Sequence, residues 1–275
     1  MKLSLYYGVS DNIRTHGWEA TIKKTLELGC NLIETLENTV IPEPPVLKSI
    51  DEVRSARKLL ASSGVSVSCC SVFSNLYNSP ETVSFLKSYS ELVAEIGSPF
   101  LHHTILPWIE PCDEIPEFEE GIERAVDAAE EVAKHAAKFG VTCLYEDQGL
   151  IANGIIGYRR FFEEIKRRCS NVGVCGDIGN SLFADVAPKD FIKEFISDIK
   201  HVHVKDFRRF PSNPENDSLW MRTRDGSYIA DVPLGTGHCE IDECIKILKS
   251  AGYNDVVSLE ATNTLQALEY MKNYI

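Results

Sequence analysis

His201-Val202-His203-Val204-Lys205-Asp206 is the stretch on which the reading of this chain turns. Valines alternate with His201, His203 and Lys205. The two-residue period of a strand therefore puts the valines on one face and the polar residues on the other. Three polar groups on one face need partners, because burying an unpartnered polar group is costly. The segment reads as a barrel strand whose C-terminal end enters an active site, with His203 offering a ring nitrogen to a metal ion. A core histidine bonded to a backbone carbonyl is the plain alternative, and the rest of the chain decides between the two.

Outward from this strand, strand-like and helix-like segments alternate in both directions. Towards the N-terminus the pattern predicts a helix over 188–196, a strand over 172–177, a helix over 158–167 and a strand over 141–146. A long helix over 116–139 carries Ile122, Val126, Ala129, Ala133 and Ala136 on one face and stops at Gly140. Before it come a strand over 100–104, a helix opened by Ser79-Pro80 and running to 96, and a strand over 65–73. A helix over 50–63, a strand over 31–35, a helix over 18–28 and a strand over 3–7 complete that side. Towards the C-terminus a polar loop over 207–239 precedes a helix over 241–249, a strand over 256–260 and a helix over 264–274. Eight strand–helix units imply a parallel sheet, and at 275 residues they fit a single-domain (β/α)8 TIM barrel spanning 1–275. No G-x-G-x-x-G follows the first strand to support a doubly wound sheet instead.

Composition narrows the partners. With 44% hydrophobic residues the chain can bury a large core. No apolar run approaches the roughly 20 residues that cross a bilayer, and residues 1–7 read as a strand and not as a signal peptide. Nine scattered cysteines without a C-x-x-C, and with Cys69-Cys70 adjacent in an apolar segment, suggest reduced thiols and a cytoplasmic location. The net charge of −13, from 41 acidic and 28 basic residues, argues against nucleic acid. A cation and a neutral small molecule suit it better, with no membrane partner; a homo-oligomer is compatible.

In such barrels the site lies at the C-terminal ends of the strands. The strand-end residues are Glu34, His103, Glu146, Asp177, His203 and Glu260. The last four strands deliver Glu, Asp, His and Glu in succession. Carboxylates with one imidazole suit a divalent ion, Mn²⁺ first, with Zn²⁺, Co²⁺ or Mg²⁺ also compatible. A cation would also offset the mutual repulsion of the acids.

Glu146-Asp147-Gln148-Gly149, Asp177-Ile178-Gly179-Asn180, His203-Val204-Lys205-Asp206, Pro233-Leu234-Gly235-Thr236-Gly237 and Ser258-Leu259-Glu260 resemble the motifs of the sugar (phosphate) isomerase/epimerase superfamily. This xylose-isomerase-like TIM-barrel group includes tagatose/psicose 3-epimerases, hydroxypyruvate isomerases, inosose dehydratases and endonuclease IV. The resemblance runs the length of the chain and is densest from Glu146 onward. It implies that Glu146, Asp177, His203 and Glu260 are the metal ligands, and that Glu146 and Glu260 are also the catalytic acid/base pair. It further implies that Arg209 binds substrate, and Trp108, His103, Asn180 and Lys205 are further candidates for the pocket. The implied activity is isomerisation or epimerisation of a sugar or sugar phosphate. It proceeds by proton abstraction next to a carbonyl and a metal-stabilised enediolate. A dehydratase of a keto-polyol such as an inosose, and a non-catalytic metal- or sugar-binding protein, are the alternatives.

Two positions depart from the ketose 3-epimerase pattern. Asn180 stands where many relatives have a histidine, and Ala152 where those epimerases have a second glutamate. Endonuclease IV would need further histidines that residues 70–75 do not supply. The loop over 207–239 reads as a lid over the mouth, with Trp220 and Arg222 facing substrate.

Overall fold

The computed structural model describes residues 1–41, 43–214 and 220–275. The elements run β1 (Lys2–Leu5), α1 (Val9–Glu27), β2 (Leu32–Asn38), α2 (Ile50–Ser63), β3 (Ser66–Phe73), α3 (Pro80–Ile96), β4 (Phe100–His103) and α4 (Phe118–Ala137). There follow β5 (Thr142–Tyr145), α5 (Gly154–Arg168), β6 (Val172–Ile178), a 3₁₀ turn (Asn180–Ala184), α6 (Pro188–Phe195) and β7 (Ile199–Val204). Next are β8 (Phe207–Phe210), β9 (Met221–Arg222), β10 (Tyr228–Asp231), α7 (Ile241–Ser250), β11 (Val256–Leu259) and α8 (Thr264–Met271).

Eight parallel strands close into a barrel in the order β1-β11-β7-β6-β5-β4-β3-β2. Closure comes from β1, which pairs with β11 through Leu3↔Val257 and with β2 through Leu5↔Ile33. The expected (β/α)8 barrel is therefore the fold. Alternate strand residues enter two separate cores. Leu101, Cys143, Tyr145, Val174, Val202 and Val204 join the large core under the helices. Cys69, Leu144 and Cys175 form a small cluster of their own on the opposite strand faces, around the barrel axis. Register shifts fall between Ile33 and Glu34 in the β2–β3 pairing and between Val174 and Cys175 in the β6–β7 pairing. A bulge re-aims the side chains beyond it, and here those are Glu34 and Cys175.

Two expectations need correction. The helix expected from Trp18 is preceded by a further helical segment from Val9; the two join in α1 across Gly17, whose φ of 83° and ψ of 174° break the helical path. The first turns of α1 bury only Val9 and Ile13 as apolar residues, among Ser10, Asp11, Asn12 and Arg14, too short a stripe to mark a helix. The segment 207–239 is not a plain loop. In it β8, β10 and β9 form a three-stranded antiparallel sheet, with Arg209↔Ile229 and Arg222↔Tyr228 in register. Asp225-Gly226 turns the β9–β10 hairpin, with Gly226 at φ 86°, so a turn signal was present in the sequence. Residues 215–219, part of the expected lid, lie outside the described residues. Among those described, no helix is long and apolar enough to cross a membrane.

Candidate metal centre and active site

The centre is built from its floor upward. Glu34, fully buried on β2, accepts hydrogen bonds on both carboxylate oxygens. Ser71 Oγ on β3 and His203 Nε2 on β7 donate to Oε1, the latter at 2.9 Å. His201 Nε2 reaches Oε2 at 2.8 Å and Ser258 Oγ at 3.0 Å. An ionised carboxylate only accepts, so these contacts assign protons. His203 carries its hydrogen on Nε2. The Ser71 hydroxyl proton is committed to Glu34, so its oxygen accepts at 2.8 Å from His102 Nδ1–H on β4.

With Nε2 so committed, His203 Nδ1 faces the mouth. Glu146 Oε2 lies 3.3 Å from it, Glu260 Oε2 3.5 Å and Asp177 Oδ2 3.9 Å. One donor atom each from Glu146, Asp177 and His203 falls within 4.8 Å of the others. A ring nitrogen among three carboxylates calls for positive charge, carried by a proton on Nδ1 or by a divalent cation in its place, and the donor set fits such a cation. Behind the ring, the Glu34–His203 bond has the form of the carboxylate that orients an imidazole in metal sites. Lys205 adds an ammonium 3.2 Å from Asp177 Oδ2 and 2.9 Å from Glu260 Oε1. Tyr6, just past β1, packs its ring 4.9 Å from that of His203.

Charge is unevenly tuned. Burial pushes Asp177 up to about 7, with Glu260 and Glu146 adding repulsion that Lys205 offsets only in part. Burial also raises Glu260, against the pull of Lys205 and His203. For Glu146 the same burial is outweighed by His102, His203 and Lys205, which hold it down at about 2. Burial alone would lower His203, but Cys175, Glu34 and Glu146 around the ring raise it well above its ordinary value. Glu260 is the accessible member, its side chain 29% exposed against 5% for Glu146 and 0% for Asp177. A molecule entering the mouth meets Glu260 first.

The structure thus brings Glu146, Asp177, His203, Lys205 and Glu260 together. Asn180 is beside them: its backbone N–H donates to Asp177 Oδ1 at 2.7 Å, and its buried Nδ2 has no protein partner. Trp108 is half-buried on the rim, edge-on to Tyr77. The assignment of His103 is corrected. Adjacent strand residues face opposite ways, and it is His102 that faces the axis. His103 is fully buried on the helix side, its ring 5.1 Å from that of Tyr145 and its Nδ1 bonded to Thr104 O. Arg209 sits outside the carboxylate ring. Its guanidinium joins Asp185 and, at 2.6 Å, Asp225, and its Nε donates to Ser227 Oγ.

The small sheet leans over the β4–β6 side of the mouth. Arg222 N donates to Glu110 Oε1 after β4, Arg224 bonds Leu150 O after β5, and Arg224 N donates to Phe183 O after β6. Trp220 packs edge-on against Phe210, so its ring anchors the sheet. Asp206 accepts from the backbone of Gly235, Gly237 and Cys239, which explains the glycines of the 233–237 motif: a Cβ on Gly237 would meet Asp206 Oδ1 at 2.2 Å. Reading the sequence left Tyr6, Ser71, His102 and Cys175 out of the site. It noted Glu34 as a strand-end acid without giving it a role.

A model of the family described as xylose isomerase-like TIM barrel matches residues 22–274. Solved structures superpose over nearly the whole chain. An IolI protein with a bound zinc atom matches with TM-score 0.74 at 18% identity, covering 100% of this chain and 96% of its own. A D-psicose 3-epimerase with D-tagatose from Clostridium cellulolyticum H10 matches with TM-score 0.71 at 17% identity, covering 98% and 89%. The probable 3-DHS dehydratase AsbF from Bacillus anthracis matches with TM-score 0.69 at 14% identity, covering 99% of each chain. At such identities the likeness is one of fold. No curated protein matches the chain in sequence.

Proposed function

The chain belongs to the xylose isomerase-like TIM-barrel family, and from that premise we propose that it is a divalent-metal-dependent isomerase or epimerase of a sugar. The observation that carries this reading is the convergence of Glu146, Asp177 and Glu260 on the outward nitrogen of His203, backed by Glu34. Those four residues would hold the cation, and their oxygen-rich set with one nitrogen suits Mn²⁺. When bound, the cation supplies Lewis acidity towards a carbonyl oxygen of the substrate.

The chain's own residues move the proton. Glu146 and Glu260 come from β5 and the end of β11, separated around the barrel by β6 and β7, and flank the same centre. One takes a proton from the carbon next to the carbonyl and keeps it, and the other delivers a proton of its own, both exchanging with solvent between turnovers. Return to the opposite face is epimerisation; return to the neighbouring carbon is isomerisation. Their environments differ, with Glu260 raised and Glu146 held low, as suits a pair with unequal roles. Lys205 and the unpartnered amide of Asn180 would orient substrate oxygens, and Trp108 would line the rim. Because Arg209 already spans Asp185 and Asp225, a substrate phosphate would have to break that bridge. This supports a free sugar over a sugar phosphate.

The test is turnover by metal-supplemented protein in D₂O against free ketoses, ketose phosphates, hydroxypyruvate and inososes. Deuterium at the reacting carbon of a free sugar is the expected result. A product lighter by one water would make the protein a dehydratase. No turnover with any of the panel would leave a binding protein.

A further inference from the structure

Behind Glu146, His102 and Cys175 bring together two donors that the reaction above does not use. We propose that His102, Glu146 and Cys175 hold a second divalent cation of the zinc type, with Glu146 bridging it to the first. One donor atom from each of the three lies within 4.8 Å of the others, and all three residues are buried.

Proton accounting supplies the independent observation. His102 Nδ1–H is committed to Ser71, whose own hydroxyl proton is committed to Glu34. His102 Nε2 is therefore a bare lone pair, and it is buried without a hydrogen-bond partner. It faces Glu146 Oε1 at 3.6 Å. Two acceptors set against each other in a dry interior repel unless positive charge lies between them.

The 3.6 Å between His102 Nε2 and Glu146 Oε1 is close to that of two ligands sharing one ion. Zinc bonds of roughly 2.0–2.1 Å to nitrogen and oxygen, held tetrahedrally, place those atoms about 3.3–3.4 Å apart. Cys175 completes the group, on the residue where the β6–β7 register shifts. A nitrogen, an oxygen and a sulfur donor select Zn²⁺ or Co²⁺ over Mg²⁺. The Cys175 side chain is fully buried beside the other two. On binding, the S–H bond breaks, its electron pair stays on sulfur to form the metal–sulfur bond, and the proton leaves to solvent. The two oxygens of Glu146 point to different sites: Oε2 towards His203 Nδ1 and Oε1 towards His102 Nε2.

Cobalt titration of metal-stripped, full-length protein tests this, with Cys112→Ser as background because Cys112 is the exposed thiol. Two equivalents per chain should bind, the second bringing a thiolate-to-cobalt absorption band in the near ultraviolet. Cys175→Ser should abolish the band and leave one equivalent. His102→Gln should likewise leave one, and that remaining equivalent shows that each variant still folds. One equivalent without a thiolate band in the parent, or two equivalents in Cys175→Ser, would overturn the second site while leaving the first. No bound cobalt would overturn both sites, and with them the metal-dependent reading.

Discussion

His203 Nε2 lies 2.9 Å from Glu34 Oε1, and this contact decides which ring nitrogen faces the mouth. The carboxylate that makes it is wholly buried, and it also anchors His201 and Ser71. One acid thus sets the orientation of three side chains, and through Ser71 that of a fourth.

Glu34→Gln should therefore weaken divalent-metal binding about 10–100-fold, the usual penalty for losing an outer-shell carboxylate. Three donors would be left with a single accepting oxygen, which costs about 1–3 kcal/mol in stability. Competition against a chelator reads the first effect and urea unfolding the second. Unchanged metal affinity would show that packing against Tyr6 alone orients His203.

Glu146→Gln and Glu260→Gln should each abolish net conversion while retaining part of the metal affinity, since an amide oxygen still coordinates. Each variant should keep exchange of one substrate hydrogen with solvent, because abstraction by the surviving carboxylate persists. Isotope wash-in followed by mass spectrometry measures this. Full conversion by either variant would remove that glutamate from proton transfer.

Asn180→Ala should lower turnover without altering metal content. Its bond to Asp177 comes from the backbone N–H and survives the substitution, whereas the lost Nδ2 is the atom free for substrate. Metal analysis beside kinetics separates the two. Loss of metal would mean that the side chain, not the backbone, supports Asp177.

His103 makes stability depend on pH. Burial holds the folded-state ring down to about 3, against an ordinary value of 6.5. Between those values the unfolded chain binds a proton that the folded chain does not. Stability should therefore fall as pH drops from 6.5, by at most about 1.4 kcal/mol per pH unit from this one group. His103→Leu should flatten the decline in urea midpoint between pH 6.5 and 4 by that one proton, leaving the share of His102. An identical slope in the variant would place the titrating group elsewhere.

The barrel was legible because helix and strand periods alternate along the chain, with glycines ending helices at Gly64, Gly97 and Gly140. The Glu146, Asp177, His203 and Glu260 constellation was legible for a related reason. Each residue follows an apolar run, and in a parallel barrel that position is the mouth.

Tertiary structure decided which side of a strand faces inward. In a barrel both strand faces are buried, so the hydrophobic alternation that would separate His102 from His103 is lost. Both residues are buried here, and only closure of the sheet sends one to the axis and the other to the helices. Glu34 shows the same limit from another side. Its partners His201 and His203 stand 167 and 169 positions away in the chain, brought near only because β2 and β7 line one closed ring. Local chemistry determined which residue types reach the mouth. Only the closed ring determined which acids gather at His203, which one lies beneath it, and which histidine faces Glu146.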